Sequence, residues 1–182
     1  MMKYRSNKTI EQITLIAGNV RAFFGPQRSY SELSHSGAPS ELSEFNKILK
    51  KAKLMPDEMW DDTDKRFYNV FGYNVNLGPA HKSSNTDKQA FEIYFAVPAD
   101  YELCIELASY EWSTAGVKGM YFYIAQYHKP MAIPATLDDV VTACTYIVDK
   151  AINSIKTSTF SMSFYFDVNS NCWSETNGNT CS

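Results

Sequence analysis

Between residues 7 and 24 the apolar positions recur at three- and four-residue intervals, as Ile10, Ile13, Ile16 or Ala17, Val20 and Phe24. That spacing predicts an amphipathic helix. Asn7 or Thr9 is placed to cap it and Gly25-Pro26 to end it. Ile13, Ile16, Val20 and Phe24 are expected to line its buried side against a sheet, with Glu11 and Arg21 facing outward. The stretch 27–39 is polar, with Tyr30 and Leu33 as its large anchors. A second helix is expected over 40–54, with Ser40 as N-cap and Leu42, Phe45, Ile48, Leu49 and Ala52 as the apolar face. Lys50, Lys51 and Lys53 suit the negative end of its dipole, and Pro56 stops it.

The period then shortens. Residues 66–77 read as strand, broken at Gly72, and Phe91, Ile93, Phe95 and Val97 alternate with Glu92, Tyr94 and Ala96 up to Pro98. A helix is expected over 99–112, carrying Leu103, Cys104, Leu107 and Tyr110 or Trp112, and a strand over 117–127. Thr136 and Asp139 form a capping-box pattern ahead of a helix whose buried stripe is Leu137, Val140, Val141, Cys144, Ile147 and Val148. The clearest strand is the last, where Phe160, Met162, Phe164, Phe166 and Val168 alternate with Ser161, Ser163 and Tyr165. A long helix first, then helices and strands intermixed, predicts an α+β domain whose sheet packs on the first helix. The expected division is a globular domain over 7–168 and a cysteine-containing C-terminal extension over 169–182.

Composition narrows the class. The 182 residues fit one domain with a small appendage, and 45% hydrophobic residues are enough for an ordinary core. A net charge of −3 gives no global attraction to nucleic acid. No apolar run reaches the ~20 residues that span a bilayer, and no apolar segment follows the basic residues at the start as in a signal peptide. The chain is therefore either cytosolic or the part of an exported protein that follows its N-terminal segment.

The four cysteines form no C-x2-C pair and none neighbours a histidine, so a zinc site is unsupported. Free buried thiols are one reading, and two disulfides in an exported protein the other. Cys104 and Cys144 fall on the apolar faces of two predicted helices, while Cys172 and Cys181 bracket a polar tail. The pairing 104–144 with 172–181 is one of three connectivities, and the one these positions favour. Its loops would contribute about 4 and about 2.5 kcal/mol by chain entropy.

Candidate chemistry is sparse. His35, His81 and His128 fall in or beside predicted loops without a motif around them, and read as surface histidines. The nucleophile-elbow, zincin, phosphate-loop and dinucleotide patterns are absent. Asp57, Glu58, Asp61, Asp62 and Asp64 form an acidic cluster without the spacing or glycine of a calcium loop, which reads as a solvated loop. Lys3, Arg5, Lys8, Arg21 and Arg28 stand against Glu11 alone in the first 28 residues, which reads as a solvated basic face. No catalytic, metal-binding or cofactor-binding residue is identified, and no cofactor is expected.

The order of segments resembles the type IVb pilins. Thr9-Ile10-Glu11-Gln12-Ile13 through Val20-Arg21-Ala22-Phe23-Phe24 looks like the exposed half of that family's long N-terminal helix. Ser29-Tyr30-Ser31-Glu32-Leu33 resembles the loop after it, and Leu54-Met55-Pro56-Asp57-Glu58-Met59 the descent into the sheet. The strand Phe91-Glu92-Ile93-Tyr94-Phe95-Ala96-Val97-Pro98 runs into Cys104-Ile105-Glu106-Leu107, and Cys144 precedes the final strand, as in the family's disulfide-bounded region. The resemblance implies a long helix packed on an antiparallel sheet, with further helices in that region. It also implies a non-enzymatic structural subunit, major or minor, that assembles with other pilin subunits through an apolar half-helix not contained in these residues. That segment would anchor the subunit in the inner membrane before export to the pilus at the cell surface. A receptor on a host or other cell is an implied partner, and nucleic acid is not. The alternatives are a secreted or tip-displayed adhesive domain and a secretion-system pseudopilin. The basic first helix and the acidic 57–64 loop are expected to meet across neighbouring subunits.

With Cys104, Cys144, Cys172 and Cys181 all oxidised, the unreduced protein is expected to weigh about 4 Da less than the reduced form by intact mass. Alkylation of all four thiols in native, unreduced protein would contradict this.

Overall fold

A computed structural model of the chain describes residues 2–27, 29–33, 39–81, 86–166, 173–174 and 178–179. The first helix, α1, is Met2–Phe24 and so begins well before residue 7. Neither Asn7 nor Thr9 caps it. Nothing in residues 2–6 breaks a helix, and Ser6 is buried, its hydroxyl donating a 2.5 Å hydrogen bond to the Glu106 carboxylate. Thr9 is buried inside the helix and donates to the Arg5 carbonyl at 2.9 Å.

Ile13, Ile16, Ala17, Val20 and Phe24 are buried in one core with the sheet, while Glu11 is exposed. Arg21 departs from expectation. Its guanidinium carbon lies 5.5 Å from the centre of the Phe166 ring and 6.0 Å from that of Phe91, and Nη1 donates to the Ala115 carbonyl at 2.7 Å. Helical spacing fixes only the direction of Cβ; a long stem lets the planar cation fold back over the rings. Gly116 makes the room: a Cβ there would stand 2.0 Å from Nη2, and its φ of +79° favours glycine.

Helix α2, Pro39–Lys51, ends earlier than Pro56. Lys53 takes the left-handed conformation (φ 55°), its N–H donating to Lys50 and that of Leu54 to Leu49, both at 3.0 Å. Leu49 and Leu54 are buried, which completes a Schellman ending. Ile48, expected in the core, is 62% exposed; Leu49 takes the inward position. The stretch 66–77 breaks at Gly72 as expected, but only its two ends are strand. A hairpin of β1 (Trp60–Asp61) and β2 (Arg66–Phe67) comes first. The chain then turns at Gly72 (φ 81°) around buried Asn69, whose side-chain Oδ1 accepts the N–H groups of Phe71 and Tyr73 at 3.0 and 3.1 Å.

Strands β3 (Val75–His81), β4 (Thr86–Pro98), β5 (Val117–Ile124), β6 (Tyr127–Ala132) and β7 (Thr159–Phe166) form an antiparallel sheet in the order β3-β4-β7-β5-β6. β7, late in sequence, lies at the centre. Phe91, Ile93, Phe95 and Val97 oppose Phe166, Phe164, Met162 and Phe160 across the β4–β7 ladder. The Phe91–Phe166 rings stack at 4.8 Å and Phe95–Phe164 at 5.6 Å. The outward Ser163 and Tyr165 are also buried, so the alternation of β7 does not mark a half-solvated strand. Strand β6 is not predicted by the sequence pattern.

Helix α3, Tyr101–Ala108, is shorter than 99–112 and is capped by Asp100, whose carboxylate accepts the Leu103 N–H at 2.8 Å. Trp112, past its end, is buried and donates its indole N–H to the Leu107 carbonyl at 2.6 Å. Helix α4, Leu137–Asp149, opens on the Thr136–Asp139 capping box and continues as a π-helix, Lys150–Ile155. Leu137 is 68% exposed; as the first helical residue it points away from the stripe formed by Val140, Ala143, Cys144, Ile147 and Val148. Cys104 and Cys144 are fully buried and bonded to one another, tying α3 to α4 with Cα atoms 5.7 Å apart. Two short strands, β8 (Trp173–Ser174) and β9 (Gly178–Asn179), pair with each other. The 172–181 pairing lies outside the described residues.

Val20→Asp is expected to lower unfolding stability by about 3–5 kcal/mol, because it leaves an unpaired carboxylate in the core. Glu11→Ala, on the opposite side, is expected to stay within about 0.5 kcal/mol. Urea midpoints check both, and equal midpoints would show that this face of α1 is not packed. Gly116→Ala is expected to cost about 1–2 kcal/mol, through the left-handed φ and the displaced Arg21.

Candidate assembly surfaces

With its core stripe turned inward, α1 presents a second side to solvent. Tyr4, Leu15 and Phe23 are 71%, 46% and 48% exposed along it. Beside Leu15, a shallow open hollow of about 540 Å³ runs along α1 between Asn7 and Asn19 and is closed on one flank by Tyr110 from beyond α3. Tyr110, offered by the sequence as a core alternative to Trp112, is thus the outward member of the pair, and the two rings meet edge to face at 4.8 Å. Large apolar side chains on a helix that is already anchored by its other face suit association with a further surface.

A second exposed apolar set, Leu137, Tyr146 and Ile152, lies along α4 and the π-helix that follows. The disulfide fixes α4 to α3, so the separation of this set from the α1 side is set by covalent structure as well as by packing.

The charged segments meet within the subunit, whereas the contact expected across neighbouring subunits involves a second chain. Lys8 on α1 pairs with Glu58 of the acidic segment at 2.9 Å, and with Glu11 at 3.3 Å, within one subunit. Hydrogen bonding to Lys8 holds the Glu58 carboxyl below its ordinary value against its partial desolvation. The reason is positional: the short 3-10 turn Asp57–Met59 sits beside the first turns of α1, with Met59 in the core. Asp61 is also occupied locally, accepting the N–H groups of Thr63 and Asp64 at 2.8 and 2.9 Å.

The outer face of the sheet is aromatic. Tyr94 stacks on Tyr123 at 5.4 Å and Tyr121 on His128 at 5.5 Å, with Tyr165 buried among them. Burial raises the phenols of Tyr121, Tyr123 and Tyr165 above their ordinary value, so they remain neutral donors. His128 is exposed near the start of β6 and His81 ends β3, both beside turns as expected, while His35 lies outside the described residues. Among the described residues no group of three or more His, Cys, Asp or Glu side chains is placed to hold a metal ion. Among them, too, no helix is long and apolar enough to cross a membrane.

Sequence reasoning passed over one cluster. Lys47, Lys50, Lys51, Lys53 and Lys65 converge around Trp60 in an open hollow of about 460 Å³. Three of these lysines have a sufficient explanation in the dipole of α2, and Lys65 joins them only through the β1–β2 turn, which linear spacing does not reveal.

No curated protein matches the chain. Among solved structures it is similar to the type IV b pilin from Salmonella typhi, with a TM-score of 0.51 over 85% of this chain and 94% of that one. The identity is 12%, so the likeness is one of fold. Residues 3–159, from α1 to the start of β7, match the family described as PilS, PilS N terminal. The chain belongs to the PilS N-terminal family, and its long helix on an antiparallel sheet shares the fold of that type IV b pilin.

Proposed function

We propose that this chain is the filament-surface domain of a type IVb pilus subunit, joined to its neighbours through α1 and through an apolar segment that extends α1 toward the N-terminus. The family match over residues 3–159 carries this reading. The two-sided character of α1 supports it: one side is used in the domain core, while Leu15 and Phe23 remain open. The apolar segment would hold the subunit in the inner membrane before assembly and pack in the filament interior afterwards. The domain would span α1 to β7, including the residues before 7 that dock through Ser6, with 169–182 as an extension bearing Cys172 and Cys181.

The rival reading, a tip-displayed adhesive domain, has a ligand-sized hollow in its favour, the one around Trp60. The two readings differ in what the open side of α1 does. In a filament subunit it is buried by neighbours along the shaft; at a tip it is covered by far fewer.

Complementation of a pilus-defective strain separates them. The gene with its full N-terminal sequence is expected to restore shafts, and residues 1–182 alone to restore none. Cys144→Ser should lower subunit stability by about 2–5 kcal/mol and reduce surface filaments in proportion. Restoration by the isolated domain would contradict the assembly reading.

A further inference from the structure

The hollow around Trp60 is built from the last turns of α2, the residue that ends it, the 3-10 turn at Asp57, and the β1–β2 hairpin. Five lysines face two aspartates there, on a chain whose net charge is −3. Lys50 holds its ammonium 4.7 Å from the centre of the Trp60 ring, and buried Phe67 backs the indole at 5.0 Å. The indole N–H donates to Asp62 at 3.0 Å, and Asp62 also pairs with Lys65 at 3.2 Å.

Two of the lysines stand where a lysine is costly. Lys53 (φ 55°) ends α2 and Lys65 (φ 56°) closes the β1–β2 turn, both in the left-handed region where glycine or asparagine is the ordinary occupant. Each carbonyl is held by an asparagine side chain, Lys53 by Asn19 and Lys65 by buried Asn46, both at 3.1 Å. The helix dipole is reason enough for Lys53, as it is for Lys156, a further left-handed lysine at a helix end outside the hollow. It gives no reason for Lys65, which ends no helix. It pairs with Asp62 of its own turn and lines the hollow beside Trp60.

We propose that this hollow, walled by Lys47, Lys50, Lys51, Lys53 and Lys65 around Trp60, binds an acidic saccharide, a sugar bearing a carboxylate or a sulfate. The volume of about 460 Å³ lies within the small-ligand range of about 300–1,000 Å³. The lysines meet the anionic group as mobile point charges. Asp57 and Asp62 supply acceptors for hydroxyl groups. An anion that draws Lys50 off the ring opens the indole face to the apolar face of the sugar. The two aspartates disfavour a nucleic-acid backbone, which presents phosphates in series and few free hydroxyls. This site goes beyond the assembly reading and does not depend on it.

The test is an NMR titration of residues 1–182, following the Trp60 indole N–H, with a sulfated uronate disaccharide, a neutral disaccharide and a short DNA oligonucleotide as probes. A saturable shift is expected with the acidic disaccharide, at least about tenfold weaker with the other two. Lys53→Gly with Lys65→Gly should weaken binding by about tenfold or more while leaving the melting temperature unchanged or raised, since glycine relieves both left-handed positions. No shift at millimolar acidic disaccharide, equal binding of the oligonucleotide, or wild-type affinity in the double glycine variant would each overturn the proposal.

Discussion

The fold depends on one face of α1 meeting the inner face of the sheet where β4 and β7 pair. Ile13, Ile16, Val20 and Phe24 enter the same core as Phe91, Phe95, Phe164 and Phe166. Each such side chain contributes about 1.5–3 kcal/mol on burial, so the stripe outweighs any local capping term on this helix. Arg21 completes the contact from the edge, lying over the stacked Phe91 and Phe166 and bonded to Ala115 beside Gly116. Because β7 is central and comes late in the chain, α1 cannot find its full partner surface until both flanking strands are in register.

That contact divides α1 into two sides with separate physical tasks. The inward side is committed to the domain, and on the outward side Leu15 and Phe23 stay about half exposed. The Cys104–Cys144 bond acts at a different level. It closes a 40-residue separation and holds α3 against α4, a constraint of about 4 kcal/mol on the unfolded chain. The domain thereby has a covalently stiffened flank and a helix whose outer side is free.

Where local and tertiary forces agree, the sequence is readable. The period-two runs of β4 and β7 and the Thr136–Asp139 box ahead of α4 are expressed as local patterns, and the structure contains them. The misreadings occur where contacts distant in sequence decide. Helix α1 reaches back to Met2 with Ser6 buried against Glu106, a hundred residues away, which no capping rule anticipates. Strand β6 escapes because Ala125 (φ 50°) turns the hairpin after Ile124, where asparagine or glycine would have announced it, and because Pro130 interrupts the run. Lys53 and Lys65 conceal their turns in the same way. The open side of α1 is legible as the complement of the buried stripe. The hollow around Trp60 is not, since its walls are brought together by α2 and a hairpin whose pairing is set by the fold.

The central claim is that α1 serves the domain with one side and the filament with the other. Single cysteines at Ile16 and Val20 on the inner side, and at Leu15 and Phe23 on the outer, are read by maleimide labelling in the isolated domain and in assembled filaments. The account predicts that the inner positions are protected in both states. The outer positions should label in the isolated domain and become protected in filaments. Full labelling of Leu15→Cys and Phe23→Cys in filaments, or equal labelling of both sides in the isolated domain, would contradict it.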